Sequence, residues 1–299
     1  MKTDFSFKGM LVPVFTPFLD DEKRTINFDV IDRYVQHLKN AGMNGILING
    51  MIGEGMLLSL EERMRVTEVW LEAVRKYGLV LIVNIGGIDL PSMYKLAEHA
   101  EKLQVDAVLV MPDLFYKPIV EEDLVLYLKD LVKKMPTRPV LYYHTPSMIK
   151  VRLDIFRLLS LLDREVPMIA GIYWAHDQID RLALIREKLP RYNYIVGSMA
   201  SMVGYMSEGI EAISLPLMNI LPELIRELYD LMMNRKLNEA IIVHKKLLKH
   251  IWELLQVDSD LRVNIDFMLI LRRELEKIVP AIKLGPLRRP HLSMNHWLL

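Results

Sequence analysis

Short, continuous apolar segments alternate with longer amphipathic segments over the first three quarters of the chain. Short apolar runs of this kind are typical of parallel strands, which helices cover on both faces of the sheet. Eight of them predict strands: Met10–Phe15, Gly45–Asn49, Leu79–Ile85, Ala107–Met111, Val140–Tyr143, Met168–Ile172, Tyr194–Gly197 and Ile210–Leu215. Eight strand-then-helix units in roughly 220 residues predict an α/β fold, the (β/α)8 TIM barrel.

The helical pattern is clearest after Ser59. Ser59-Leu60-Glu61-Glu62 has the form of a capping box, and the apolar residues that follow keep a period near 3.6. After about Leu221 the strand pattern stops, and the remaining segments predict helices over Leu221–Asn234, Leu237–Val257 and Asn264–Ile278, then a loop over Gly285–Pro290. We therefore expect a barrel over residues 1–223 and a C-terminal helical extension over 224–299. No G-x-G-x-x-G turn follows the first strand, which disfavours an open dinucleotide-binding sheet.

Composition narrows the classes of partner. The chain carries 38 Lys+Arg and 38 Asp+Glu, and this zero net charge argues against a polybasic nucleic-acid binder. There is no cysteine, so disulfides, thiolate nucleophiles and cysteine-bound metals are excluded. Apolar runs stay shorter than the ~18 residues of a membrane helix, and the first residues lack the apolar core of a signal peptide. We expect a cytoplasmic protein with neither a membrane nor a nucleic-acid partner.

The fold directs the search for chemistry to the strand ends. In (β/α)8 barrels, reactive residues lie at the C-terminal ends of the strands and in the loops that follow them. The candidates at these positions are Met51, Ile52, Gly53, Glu54, Phe115, Tyr116, Lys117, Tyr143, His144, Tyr173, Trp174, His176, Asp177, Gly197, Ser198 and Asn219.

Several of these residues belong to motifs that occur in one known family. In chain order, the motifs are Val14–Phe18, Asn49–Glu54, Leu58–Arg63 (together like G-[ST]-T-G-E…L-S-x-E-E-R), Phe115–Pro118, Leu141–Pro146 (like Y-N-x-P) and Ala170–Ile172. Over nearly its whole length the chain resembles the dihydrodipicolinate synthase / N-acetylneuraminate lyase family of pyruvate-dependent aldolases and lyases. The resemblance implies the barrel, the C-terminal helices and a homotetramer built as a dimer of dimers.

One implied residue is missing. The family's nucleophile is a lysine directly after the Gly-Ile of strand six, which attacks a 2-oxo acid to form an iminium. Here Gly171-Ile172 is followed by Tyr173, and a phenol cannot form an iminium. No lysine occurs between Lys150 and Lys188, so no shift of the alignment restores one to strand six.

Three further differences lie in the same implied site. The family's hydroxyl pair, which holds the pyruvate carboxylate, corresponds to Met51 and Ile52, which have no side-chain donor. The arginine that follows Pro-Ser in the dihydrodipicolinate synthase branch corresponds to Met148. Together with Tyr173, these residues predict a more apolar site without its nucleophile.

Other implied positions are retained. Tyr143 matches the tyrosine that donates to the substrate carbonyl, and Glu54 matches the G-E carboxylate. Phe115 or Tyr116 matches the aromatic residue of strand four, and Asn219 fits the N-x-x-P pattern of strand eight. A glutamate at such a position also commonly ties loops together, so its role remains open.

Our leading hypothesis is a diverged family member that binds a small, weakly polar ligand at the barrel mouth without forming a Schiff base. The expected contact residues are Met51, Ile52, Gly53, Tyr116, Met148, Tyr173, Ser198 and Asn219. The resemblance also implies self-association, as a dimer or a tetramer.

Two alternatives remain open. In the first, Tyr143, Glu54, His144 and His176 converge and perform acid/base lyase, isomerase or hydratase chemistry without a covalent intermediate. The two histidines and Glu54 also suggest a metal site, but no tight spacing supports it, and we expect no metal and no cofactor. In the second, Lys117 or Lys150 supplies a relocated amine.

Overall fold

Eight parallel strands form a closed barrel in the computed structural model, which describes residues 5–256 and 265–288. Each strand pairs with the next, and β8 pairs with β1 through Gly9↔Ala212 and Met10↔Ile213. The strands are β1 Gly9–Pro13, β2 Gly45–Ile48, β3 Val80–Asn84, β4 Ala107–Val110, β5 Val140–His144, β6 Ile169–Trp174, β7 Asn193–Val196 and β8 Ala212–Ile213. The predicted TIM barrel is confirmed.

Helices surround the barrel and continue beyond its last strand. They are α1 Ile31–Asn40, α2 Leu60–Tyr77, α3 Leu90–Leu103, α4 Glu121–Val132, α5 Pro146–Ile149, α6 Ile155–Glu165, α7 Ile179–Lys188, α8 Met202–Ser207, α9 Pro222–Met233, α10 Leu237–Gln256 and α11 Ile265–Ile278. The last three match the predicted extension. The predicted helix ends at Val257 and Asn264, and Arg289-Pro290 of the predicted loop, lie outside the described residues. Within the described ranges, no helix has the length and apolar character to cross a bilayer.

Two strand boundaries differ from the prediction in a way that bears on the site. Strand β6 continues past Ile172 through Tyr173 and Trp174, which pair with β5 on one side and β7 on the other. Strand β8 has only two residues, Ala212 and Ile213, and both pair with β7 and with β1. Tyr173 is therefore a strand residue and not a loop residue.

The predicted capping box fixes the start of α2. The Ser59 hydroxyl accepts from the Glu62 backbone N–H at 3.1 Å, and the Glu62 carboxylate accepts from the Ser59 N–H at 2.9 Å. The helix ends at Gly78, which adopts φ 64°, a left-handed conformation that costs glycine little. This helix directly follows the loop after β2, so its start positions that loop.

Side chains fill the barrel interior. Alternate residues of each strand point inward, and they form an apolar cluster distinct from the core between sheet and helices. The inward set includes Leu47, Leu109, Leu141, Tyr143 and Tyr173. Both tyrosines lie at the C-terminal ends of their strands, where the interior opens toward the barrel mouth.

The C-terminal segment is bound to the first two βα loops by two arginines. Arg272 of α11 is buried and donates to the carbonyl oxygens of Thr16, Leu284 and Gly285. Arg288 donates to both carboxylate oxygens of Glu62 at 2.5 and 2.6 Å. We call residues 284–288, held in this way, the C-terminal strap.

Candidate active site

A cavity of about 280 Å³ opens at the C-terminal ends of the strands. Four methionine side chains dominate its wall, with two further aliphatic residues and three polar ones. The lining residues are Met51, Met56, Met111, Leu114, Lys117, Tyr143, Thr145, Met148 and Ile149. We call this the mouth cavity, and it lies where barrel enzymes carry out their chemistry.

Tyr143 is the residue of the predicted acid/base set that lines this wall. Its side chain is buried at the end of β5, and its ring packs edge-to-face on Tyr173 with centroids 5.0 Å apart. Burial raises the pKa of Tyr143 well above its usual range, and neighbouring Tyr173 adds to the shift. Tyr143 is thus a neutral phenol that can donate a proton.

Tyr173 occupies the barrel interior beside Tyr143. Its hydroxyl donates to the Ser214 carbonyl oxygen at 3.5 Å, and burial raises its pKa to about 12. A Cβ at Gly197 would lie 2.8 Å from the Tyr173 ring, so the ring uses space that this glycine leaves open. Tyr173 does not itself line the mouth cavity; it supports Tyr143, which does.

Glu54 points away from the mouth cavity, toward the C-terminal strap. Its carboxylate accepts from the Arg288 backbone N–H at 2.9 Å and lies 3.5 Å from an Arg272 guanidinium nitrogen. Burial raises the Glu54 pKa, and the two arginines partly offset this shift. These contacts give Glu54 a structural role, joining the loop after β2 to the strap.

The expected convergence of His144, His176 and Glu54 on one pocket is wrong. Successive strand residues point to opposite faces, so Tyr143 faces the interior while His144 faces outward, against the ring of Trp174. His144 and His176 line a second cavity outside the barrel, together with Lys150. Among the residues with described positions, no group of three or more histidine or acidic side chains is placed to hold a metal ion.

Several predicted contact residues lie elsewhere. Tyr116 is 82% exposed and borders a separate cavity near Gly87, and Ser198 donates to the carboxylate of Asp177. Asn219 is buried and bonds to Tyr34 and to the carbonyl oxygens of Pro13 and Pro216.

Ile52 and Gly53 also lie outside the mouth cavity. The Ile52 side chain belongs to the core between the sheet and the helices. The Gly53 carbonyl accepts from the Thr16 hydroxyl at 2.6 Å. Of the predicted contact set, Met51 and Met148 line the mouth cavity.

The two candidate lysines line different cavities. Lys117 lies on the exposed loop after β4 and lines the mouth cavity, whereas Lys150 follows α5 and lines the second cavity. Among the lysines of the described residues, Lys117 is the one that borders Tyr143's cavity. An amine thus reaches the mouth from a loop, but none comes from strand six.

Sequence reasoning missed Met56, Met111, Leu114, Thr145 and Ile149. Met111 directly follows β4 and Thr145 directly follows β5, so the strand-end rule could have selected both. Met56 and Ile149 line the cavity because short helical turns after β2 and β5 direct them toward it. Methionine commonly fills gaps in cores, but its flexible thioether also suits an adaptable binding surface, so the residue type alone does not identify these positions.

The comparisons with known proteins agree with this architecture. The sequence model of the Dihydrodipicolinate synthetase family matches residues 6–269, which include all eight strands and both tyrosines. The chain belongs to this family.

The curated proteins that resemble this chain include N-acetylneuraminate lyases. Lyase B of Xenopus laevis is 31% identical over 203 residues, which are 68% of this chain and 76% of that protein. The human lyase is 31% identical over 166 residues, 55% of this chain and 51% of that enzyme. The aligned part therefore spans about half the length of the mammalian enzyme.

Solved structures show the same fold over nearly the whole chain. The N-acetylneuraminate lyase of Proteus mirabilis superposes with a TM-score of 0.86 at 24% identity, covering 97% of this chain and 95% of that one. A catalytic lysine mutant of the Ruminococcus gnavus sialic acid aldolase gives 0.87 at 19% identity, covering 100% and 94%. At these identities, the likeness establishes the shared barrel and its C-terminal helices.

Proposed function

We propose that this member of the family does not form a Schiff base with pyruvate and instead binds a small, weakly polar molecule in the mouth cavity. The observation that carries the proposal is Tyr173. It follows the Gly171-Ile172 pair of strand six, where the family resemblance implies the nucleophilic lysine, and its side chain is buried against Tyr143. A phenol with its pKa raised to about 12 supplies neither an amine nor an oxyanion near neutral pH.

The wall of the mouth cavity supports the ligand class. Met51, Met56, Met111 and Met148 offer thioethers, which are weak acceptors and have no N–H or O–H to donate. A carboxylate placed among these methionines, away from Lys117, Tyr143 and Thr145, would lose its hydration without gaining comparable hydrogen bonds, which is costly. An apolar body with one hydroxyl or carbonyl near Tyr143 suits the site better.

A second candidate function has one observation in its favour. Lys117 reaches the mouth cavity from the loop after β4, so a lyase that uses this relocated amine remains a specific alternative. The Lys117 side chain is exposed, however, whereas an amine that forms an iminium is typically activated by burial in an apolar pocket.

Borohydride trapping tests the proposal. We expect the wild-type chain incubated with pyruvate and borohydride to show no mass increase. The Tyr173→Lys variant should gain a reduced adduct with a neutral aliphatic ketone, because an amine desolvated among apolar side chains has a depressed pKa and becomes nucleophilic. This variant is the positive control for trapping of a carbonyl compound in the barrel interior.

An adduct on the wild-type chain would contradict the proposal. Its loss in Lys117→Met would then assign the chemistry to Lys117. Binding can be followed by quenching of intrinsic fluorescence with a panel of 2-oxo acids, N-acetylneuraminate and neutral aliphatic ketones. The proposal expects the ketones to bind and to lose affinity in Met51→Asp; tighter binding of the acids would count against it.

A further inference from the structure

A second cavity of about 430 Å³ lies outside the barrel, beside the ends of β5 and β6. Its walls come from α5, the segment that leads to α6, and the start of α7. His144 and the ring of Trp174 form its buried part. We call it the outer cavity; the proposed function does not use it.

The charge of the outer cavity is strongly one-sided. Lys150, Arg152 and Arg181 line it, and no acidic side chain does so in the described part of the chain. The carboxylate of Asp154 lies 3.5 Å from Arg181 and offsets one of these charges. Two positive charges remain, together with the neutral donors of Ser147 and Gln178. This excess matches a small dianion.

His144 is a buried polar group that lacks a partner of its own. Its side chain is 5% exposed and contacts the rings of Trp174 at 4.6 Å and His176 at 5.9 Å. Its imidazole makes no hydrogen bond to any described residue. Since His144 also lines the outer cavity, a ligand oxygen there could accept a hydrogen bond from its imidazole.

We propose that the outer cavity binds a small dianionic phosphate group, either inorganic phosphate or the phosphate of a small monoester. Arg152 and Arg181 provide planar guanidinium groups that match phosphate oxygens bidentately, and Lys150 adds a point charge from the rim. His144 donates its imidazole N–H from the buried end. Burial and the nearby His176 and Arg181 lower the His144 pKa to about 3, so this imidazole is neutral at pH 7.

Titration calorimetry with inorganic phosphate tests this site at constant ionic strength. We expect the full chain to bind phosphate. The double variant Arg152→Gln/Arg181→Gln should bind it at least about tenfold more weakly, because two charge-assisted contacts are lost. The matched control is Arg65→Gln/Lys133→Gln, which removes two exposed cations from α2 and the end of α4. The control should retain wild-type affinity.

A second variant and a spectroscopic measurement locate the phosphate. Lys150→Gln changes an exposed rim residue and should weaken binding without altering the unfolding temperature in phosphate-free buffer. Phosphate should also shift the imidazole resonances of His144 and His176, assigned through His144→Gln and His176→Gln. Glycerol 3-phosphate distinguishes the two sources: tighter binding than phosphate indicates a monoester, and equal binding indicates the inorganic ion.

Three results would overturn the proposal. These are no phosphate binding at millimolar concentration, equal weakening in the Arg65→Gln/Lys133→Gln control, and tighter binding of citrate than of either phosphate compound. The last would assign the outer cavity to a polycarboxylate. None of these measurements depends on pyruvate or the mouth cavity, so they are independent of the proposed function.

Discussion

At the scale of single residues, Tyr143 and Tyr173 set the chemistry available at the mouth. Both hydroxyls are held in an apolar interior, where ionisation is disfavoured. Tyr143 can therefore donate a hydrogen bond or a proton to a ligand carbonyl, but it cannot abstract a proton near neutral pH. The described lining of the mouth cavity therefore offers an acid for noncovalent acid/base chemistry, but no carboxylate or histidine to act as the base.

Glu62 gives a residue-scale prediction about acid stability. Its hydrogen bond from Arg288 is the main cause that lowers its pKa below 4.5 in the folded chain. The stabilisation that this pair contributes is therefore fully present above the pKa of Glu62 in the unfolded chain. It is lost as the pH falls through the lower pKa of Glu62 in the folded chain. We expect Glu62→Gln to lower the free energy of unfolding by about 1–2 kcal/mol at pH 7, with solvent screening favouring the lower value.

Urea unfolding of Glu62→Gln at pH 7 and pH 3 checks this sign. The difference in the free energy of unfolding between wild type and Glu62→Gln should be smaller at pH 3 than at pH 7. Glu61→Gln is the control, because Glu61 is the exposed neighbour and its carboxylate accepts a hydrogen bond from the Ser59 hydroxyl but has no bond to Arg288. A difference that grows toward pH 3 would contradict the assignment.

At the scale of elements, the short helix α5 is a wall common to two cavities. Met148 and Ile149 face the mouth cavity, whereas Pro146 and Ser147 face the outer cavity. Strand β5, which leads into it, likewise presents Tyr143 to one side and His144 to the other. A ligand in either cavity therefore contacts the same four-residue helix.

Helix α11 supports the mouth through one buried cation. Arg272 lies between the rings of Phe15 and Phe18, with centroid distances of 5.5 and 5.7 Å, and beside Glu54. We expect Arg272→Met to lower the free energy of unfolding by about 3–5 kcal/mol, because it removes the cation beside the buried Glu54 carboxylate and the donor to four carbonyl groups. Denaturant unfolding followed by circular dichroism measures this loss.

The adjacent Arg273 provides the control. It is exposed on the same helix, so Arg273→Met should change stability by less than about 0.5 kcal/mol. Equal effects of the two substitutions would show that the contacts of Arg272 contribute little.

The sequence pattern predicts the elements better than their orientation. Continuous apolar runs identify all eight strands, and the Ser59–Glu62 spacing identifies the start of α2, because both signals are local. The pattern does not show which face of β5 holds His144, because a strand buried on both faces lacks polar alternation. The contacts of Arg272 with Thr16 and Glu54 span more than 200 positions, and no local signal encodes them.

At the scale of the whole molecule, an apolar surface follows β4. Phe115, Tyr116 and Ile119 are each more than 80% exposed, and Leu114 and Val120 lie beside them in sequence. Clusters of this kind mark interaction sites, and the family resemblance implies self-association. We expect the chain to be a dimer or tetramer in solution, and Ile119→Glu to shift it toward smaller species by placing a charge in this surface.

Sedimentation velocity at several concentrations measures the shift. Ile278→Glu places the same charge on an exposed residue at the end of α11 and should leave the distribution unchanged. A wild-type chain that sediments as a monomer at all concentrations would disprove the expectation.

The C-terminal strap has a consequence for the chain as it is made on the ribosome. Arg272 and Arg288 meet partners near the start of the sequence, such as Thr16, 256 positions before Arg272. A nascent chain that has not reached these arginines holds Glu54 without either cation, so the loop after β2 cannot settle in its final position. The mouth of the barrel is thus completed only after residue 288 has been synthesised, although β1 and β2 emerge much earlier.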